Sequence, residues 1–229
     1  MHALLSCLLI STSYVAPFYF QRRFSRSHSS TILFRSISTF AVCLVAWLPL
    51  AFAVSERYDG QAEYAQGKVQ LVIQLLGLRW QGLPNAVVLS TFLTAALFLG
   101  PLALMALRWQ SDAAFIPQLE RTLLQSWRDI IVGPVTEEFA FRACMLPLLM
   151  LQGYGPVKAV LLTPLFFGVA HLHHAYDFVV HQGCTVNSAL VMVAFQSGYT
   201  TVFGWYASLL LLRTGHLAAP PEEGSMLRY

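Results

Sequence analysis

Charged residues are scarce in this chain of 229 residues. Asp, Glu, Lys and Arg make up 11% of it, whereas 56% of the residues are hydrophobic and the mean hydropathy is +0.58. A soluble domain carries about 25% charged residues, so the composition excludes an ordinary soluble domain and indicates an integral membrane protein. The formal net charge of +3 is too small to indicate a nucleic-acid partner, and we expect none.

Cysteine pairs, zinc motifs and internal repeats are missing as well. The four cysteines (Cys7, Cys43, Cys144 and Cys184) form no CxxC pair, which favours small packing residues over metal ligands or a disulfide framework. No HExxH motif and no low-complexity tract occurs.

Open strands cannot satisfy their backbone hydrogen bonds in lipid. The predicted fold class is therefore all-α, a polytopic integral membrane helix bundle.

Hydrophobic segments separated by polar ones predict the helices of the first half. Ala3–Phe20 is followed, not preceded, by basic residues, so we predict a retained first helix that ends in the cytosol instead of a signal peptide. Residues 32–54 and 85–107 are predicted spans. Residues 69–78 are too few to span and are predicted to form a re-entrant or interfacial segment.

The second half begins with an amphipathic stretch and continues with three apolar ones. Residues 118–131 predict an interfacial helix that ends at Gly133-Pro134. Further helices are predicted over residues 135–151, 156–171 and 186–212.

Three charged residues, Glu137, Glu138 and Arg142, lie inside the first of these apolar helices. A charge in a bilayer core costs at least about 2.5 kcal/mol, so such groups are candidates for a functional site by default. Glu138 and Arg142 are four residues apart and are predicted to pair on one helix face. Glu137 points about 100° away, as expected of a positioned base with a supporting neighbour. An interhelical salt bridge that only fixes packing explains the same spacing.

Two further predictions concern the start of this helix. Pro134 fits the first turn, where no hydrogen bond is lost, and Thr136 is a plausible capping residue. Glu137 and Glu138 are then expected in the first turn, where the positive end of the helix dipole favours carboxylates.

Histidines follow at the end of the next apolar helix. A lone histidine in the position of His171 is more often a satisfied core residue or a helix cap than a ligand. His171 and His174 share a helix face and, with His173 and Asp177 nearby, leave a zinc site open as an alternative. For His173, His174 and Asp177, a solvated helix end is the interpretation that we favour.

These motifs, taken in order, resemble a known family. Residues Glu137-Glu138-Phe139-Ala140-Phe141-Arg142 form EExxxR, and Phe167–His171 form FxxxH. With the blocks 194–204 and 213–217, they resemble the type II CAAX prenyl endopeptidases, the Ras-converting membrane proteases of the CAAX-protease and bacteriocin-processing family. The similarity is strong over residues 131–220 and looser upstream.

The resemblance implies a multi-pass endopeptidase of the endoplasmic reticulum membrane. Its substrates would be farnesylated or geranylgeranylated CAAX proteins, such as Ras-type small GTPases, which lose their last three residues. The resemblance also implies that Glu137 and His171 activate the attacking water and that Glu138 and Arg142 support the site. Because no HExxH motif is present and the candidate ligands lie on different helices, we expect no metal or other cofactor. The chain would then comprise N-terminal transmembrane helices and loops (1–130), a catalytic core (131–220) and a divergent tail (221–229).

The tail departs from the family's pattern. The family continues into a last helix with a histidine and, four residues on, an asparagine, to which oxyanion hydrogen bonds are ascribed. The sequence from Pro221 to Tyr229 contains no such pair, and loss of one oxyanion donor costs about 100- to 1000-fold in rate. A catalytically impaired scaffold or binder of prenylated proteins is therefore the alternative function. A transporter with a Glu/His proton relay is disfavoured, because no inverted repeat is visible.

Overall fold

Helices form every regular element in the part of the chain that the computed structural model describes, namely residues 2–20, 28–59, 67–111, 122–170, 173–180 and 182–217. This confirms the predicted all-α fold class. The described residues of the first half form six helices, with the bounds α1 Ala3–Phe20, α2 Ser29–Ala46, α3 Leu48–Arg57, α4 Lys68–Leu75, α5 Leu83–Leu97 and α6 Leu99–Ser111.

The second half is built around one long continuous helix, residues 123–151, which we call the motif helix because it carries EExxxR. It consists of α7 (Leu123–Trp127), a π-helical turn (Arg128–Val132), α8 (Gly133–Glu138), a second π-helical turn (Phe139–Cys144) and α9 (Met145–Leu151). It is followed by α10 (Pro156–Ala170), α11 (His173–Val180) and α12 (Val186–Thr214).

The predicted break at Gly133-Pro134 is wrong, because the motif helix passes through both residues. Pro134 has no backbone N–H, and its ring would clash with the carbonyl four residues earlier in a regular α-helix. The preceding turn is π-helical, and Gly133 donates its N–H to the carbonyl of Arg128, five residues back. This wider turn accommodates the proline, so the carboxylates of EExxxR lie within the helix and not in its first turn. The region 118–121 of the predicted interfacial helix lies outside the described residues.

The motif helix is the centre of the bundle. Every residue from Ala140 to Leu149 is buried, and the ring of Phe141 is fully enclosed. The helices α1, α2, α10 and α12 all contact the second π-helical turn. The hydroxyl of Ser11 donates to the carbonyl of Phe166 at 3.0 Å, which joins α1 to α10. Arg142 therefore lies within the buried stretch of the motif helix, and Glu137 and Glu138 lie just before it.

Among the described residues, one helix is long and apolar enough to cross a membrane. It comprises α2 and α3 (Ser29–Arg57) and contains the span predicted over residues 32–54. The span predicted over residues 85–107 is instead divided into α5 and α6, which meet at an angle of 69°. The physical cause is Pro101, which can neither donate a hydrogen bond nor tolerate the carbonyl of Leu97 in a straight helix. The pair forms a second span only if its two halves are counted together.

Candidate active site

The side chains of Glu138 and Arg142 form the ion pair that their spacing predicts. Arg142 Nη1 lies 2.9 Å from Glu138 Oε1. The side chain of Arg142 is only 2% exposed, whereas that of Glu138 is 32% exposed. A buried guanidinium without a counter-ion is strongly unfavourable, and Glu138 supplies the counter-ion of Arg142.

Two neighbouring helices shape the space around Arg142. Its guanidinium carbon lies 4.7 Å from the centre of the Phe167 ring on α10, a cation–π distance. On α12, Gly204 leaves room for it: a Cβ at that position would lie 2.8 Å from Pro164 Cβ and 3.2 Å from Arg142 Nη2. The guanidinium of Arg142 is therefore enclosed by Glu138, Phe167 and the segment of α12 at Gly204. In turn, it fixes the orientation of the Glu138 carboxylate.

Thr136 links the motif helix to α1. Its hydroxyl lies 2.8 Å from the hydroxyl of Tyr14 and donates to the carbonyl of Val132 at 2.7 Å. Thr136 is thus not the capping residue that the sequence suggests, since its hydroxyl bonds backwards within a continuing helix. The Tyr14 ring also meets Phe141 edge-on, with 5.2 Å between ring centres. These contacts set the position of the turn that carries Glu137.

Glu137 lines a partly open cavity of about 250 Å³ between α1, α2 and the motif helix. The other polar residues that line this cavity include Tyr14, Arg35, Arg128, Asp129, Thr136 and His174. The cavity combines hydrogen-bonding groups with the apolar faces of Phe141 and Phe167, a composition typical of binding pockets.

Glu138 lines a different cavity on the other side of the motif helix. That cavity has a volume of about 490 Å³, and its walls are mainly apolar, formed by Leu78, Trp80, Leu83, Pro134, Val135 and Leu217 among others. The two adjacent carboxylates therefore face separate environments. Glu138 forms an ion pair with Arg142, and Glu137 faces the cavity beside α1 and α2. The two side chains point in different directions because successive residues of a helix are rotated by about 100°.

The structure brings together some of the predicted site residues. Glu137, Glu138 and Arg142 lie on consecutive turns of the motif helix. His171 lies outside the described residues, directly after the end of α10. His173 and Asp177 belong to α11. His174 lines the cavity of Glu137 and is half-buried, and the solvated helix end favoured for it stays a prediction.

Tyr14 and Arg35 are cavity residues that the sequence reasoning missed. Tyr14 is 4% exposed and stands among apolar residues of α1. Arg35 is half-buried in α2 and lies inside a predicted span. A tyrosine or an arginine in an apolar helix is the signal that marks such residues.

Groups of three or more His, Cys, Asp or Glu side chains arranged for a metal ion do not occur among the residues that the structure describes.

Comparisons with known proteins agree on one family. A model of the type II CAAX prenyl endopeptidases, Rce1-like, matches residues 119–220. The chain is 36% identical to CAAX prenyl protease 2 of Homo sapiens over 98% of its own length and 69% of that protein. It is 31% identical to CAAX prenyl protease 2 of Arabidopsis thaliana over 95% of its length and 76% of that protein. No solved structure matches the chain at a significant level.

Together, the helical fold, the charged residues on its central helix and the named relatives define a class, that of helical membrane proteases. Within that class, the chain belongs to the type II CAAX prenyl endopeptidases, because relatives at 36% and 31% identity are covered over more than two thirds of their length.

Proposed function

We propose that this chain removes the C-terminal tripeptide from prenylated CAAX proteins, with Glu137 as the base that activates water. The relatives are named as CAAX prenyl proteases, which supports the reaction. The observation that carries the assignment of Glu137 is the difference between two adjacent carboxylates. Glu138 is held by the buried Arg142, whereas Glu137 lines a partly open cavity that also contains several other polar side chains.

In the proposed reaction, Glu137 accepts a proton from a water molecule while the water oxygen attacks the carbonyl carbon of the prenylated cysteine. The tetrahedral intermediate then collapses, the bond to the next nitrogen breaks, and the proton passes to the leaving amine. His171 is the proposed partner of Glu137 in orienting this water. Glu138 and Arg142 do not touch the substrate in this scheme; they fix the turn of helix from which Glu137 projects. No enzyme-bound covalent intermediate and no metal ion is required.

The two cavities suit the two parts of a prenylated substrate. The polar cavity beside Glu137 receives the peptide. The apolar cavity, whose walls include Trp80 and Leu83, suits an isoprenoid chain, since each buried CH₂ contributes about 0.8 kcal/mol. Ras-type small GTPases, which carry farnesyl or geranylgeranyl groups, are the proposed substrates. A multi-pass arrangement in the endoplasmic reticulum membrane is the proposed location.

Cleavage of a farnesylated CAAX peptide by membranes containing the chain tests the function. We expect release of an intact tripeptide by the wild type and none by Glu137→Gln or His171→Ala at equal membrane abundance. Glu56→Gln, on the exposed end of α3, is the matched control and should keep wild-type turnover. If the wild type bound the peptide but did not cleave it, the result would favour the alternative function, a scaffold or binder of prenylated proteins. Normal turnover by Glu137→Gln would overturn the assigned base.

A further inference from the structure

We propose that Arg35 binds the C-terminal carboxylate of the substrate, at the far end of the tripeptide that is released. This inference rests on the proposed function, because a CAAX substrate presents a free α-carboxylate three residues after the bond that is cut. It adds a specificity determinant on α2 to a site whose other assigned residues lie on the motif helix and just after α10.

The position of Arg35 within its helix is the first argument. It lies six residues after Ser29, the first residue of α2, so about 9 Å along the helix axis. It belongs to the segment Ser29–Arg57, which is apolar enough to cross a membrane. An arginine in such a segment is expensive, and such residues characteristically face a wet cavity or an anionic partner.

The orientation of Arg35 is the second argument. Its guanidinium carbon lies 5.2 Å from the centre of the Phe18 ring, and Nη2 donates to the carbonyl of Phe18 at 3.5 Å. These contacts turn the side chain towards α1 and into the wall of the cavity that Glu137 also lines. A cation and the proposed base therefore share one cavity, on different helices.

A neighbouring arginine of the cavity, Arg128, shows how a guanidinium binds a carboxylate. Arg128 Nε lies 2.7 Å from one carboxylate oxygen of Asp129, and Nη2 donates to the other at 3.1 Å. This two-point pairing is the geometry by which a guanidinium binds a carboxylate most strongly. Arg35 carries the same planar group and can bind the substrate carboxylate with the same two-point geometry.

The chemistry of the substrate requires a group of this kind. Three extended residues reach about 10 Å, so the substrate carboxylate would lie within about that distance of a scissile carbonyl beside Glu137. The carboxylates of Glu137 and of the substrate would then occupy one partly enclosed site, and the guanidinium of Arg35 would offset their repulsion. The guanidinium also distinguishes a C-terminal carboxylate from an internal peptide bond. A site built to pair with a charged group rejects an analogue without that charge.

The order of the chain is consistent with this arrangement. The basic residues between α1 and α2 place the start of α2 on the cytosolic side. Arg35, near that end, faces the side from which a cytosolic prenylated protein delivers its C terminus.

Two farnesylated peptides that differ only at the C terminus test the proposal, one a free acid and the other a primary amide. For the wild type we expect kcat/KM to be about 10- to 100-fold higher for the acid, the range of one charge-assisted hydrogen-bonded contact. In the Arg35→Gln variant, the ratio of kcat/KM for the acid to kcat/KM for the amide should fall to about 1 to 3, mainly because the acid is cleaved more slowly. The ratio is internal to each variant, so it does not depend on how much enzyme is folded.

Arg57→Gln is the matched control. Arg57 lies at the opposite end of the same apolar segment and donates to the carbonyl of Leu151 at 2.9 Å, so its variant should keep the wild-type ratio. Inhibition of the wild type by the free tripeptide and by its amide gives a second measurement that needs no variant, and the acid should bind about 10-fold tighter or more.

Three outcomes would overturn the proposal. The first is a wild type that cleaves acid and amide equally well. The second is an Arg35→Gln variant that keeps the wild-type ratio, including one that is equally slowed on both peptides, which would give Arg35 a structural role. The third is cleavage of neither peptide by the wild type, which would remove the proposed function itself and this inference with it.

Discussion

The hydroxyl groups of Tyr14 and Thr136 lie 2.8 Å apart, and this contact joins the first helix of the chain to the residue directly before Glu137. Thr136 is 1% exposed, and its hydroxyl also bonds to the carbonyl of Val132. The position of Glu137 in the cavity thus depends on a helix more than a hundred residues away in sequence. A small displacement of a catalytic group is sufficient to reduce a rate substantially.

Replacing Tyr14 by Phe removes this hydrogen bond but keeps the ring contact with Phe141. We expect a loss of about 0.5–1.5 kcal/mol in the free energy of unfolding, the usual net contribution of one hydrogen bond. We also expect kcat to fall by about 2- to 10-fold with KM little changed, because Glu137 is less well held. Steady-state kinetics with a prenylated peptide measures both parameters.

Tyr19→Phe is the control, because Tyr19 is on the same helix but exposed. Thr136→Val should have an effect similar to that of Tyr14→Phe, and the double variant should be no worse than either single one, since both remove the same contact. Additive losses in kcat would show that the two hydroxyl groups act independently.

Replacing Glu138 by Gln leaves Arg142 buried without its counter-ion. We expect a loss of about 1–3 kcal/mol in stability, less than for a fully buried pair because Glu138 is partly exposed. Activity should fall as well. Thermal denaturation in detergent compares the variant with the wild type.

A double variant separates charge compensation from catalysis. Glu138→Gln combined with Arg142→Met removes both charges, and it should recover most of the lost stability without recovering activity. A double variant as unstable as Glu138→Gln would mean that the ion pair is not the source of the loss.

Gly204 and Gly198 give a matched pair of substitutions on α12. A Cβ at Gly204 would lie 2.8 Å from Pro164 Cβ, whereas a Cβ at Gly198 meets nothing within 4 Å. Gly204→Ala should therefore cost about 1–3 kcal/mol by overpacking and disturb Arg142. Gly198→Ala should be neutral or stabilise the helix by about 0.5–1 kcal/mol. Equal melting temperatures for the two variants would contradict the close approach of α10 and α12.

The peptidase should work without zinc. We expect purified enzyme to contain no stoichiometric zinc and to keep its activity after treatment with a chelator, since the proposed mechanism activates water with side chains alone. Elemental analysis and peptide cleavage before and after chelation measure this. Loss of activity that zinc alone restores would make His174 and Asp177 candidate ligands.

Local patterns in the sequence determined a large part of this protein. Its apolar composition specified a helical membrane bundle, because only helices satisfy their own backbone in lipid. The pairing of Glu138 with Arg142 followed from their spacing, since residues four apart are neighbours on any helix. The order of EExxxR and FxxxH indicated the family. Each of these properties depends on residues that are close together along the chain.

Tertiary structure decided the features that need distant residues. No local pattern indicates that Pro134 lies inside a continuous helix, because a π-helical turn depends on how the whole helix packs. Nor does spacing predict that Tyr14 meets Thr136, or that His174 shares a cavity with Glu137. The apolar helices α1, α10 and α12 carry little directional signal of their own, so the faces that they present are fixed by packing against the motif helix. The sequence therefore specified the charged groups, and the packing of the bundle decided the cavity that each of them faces.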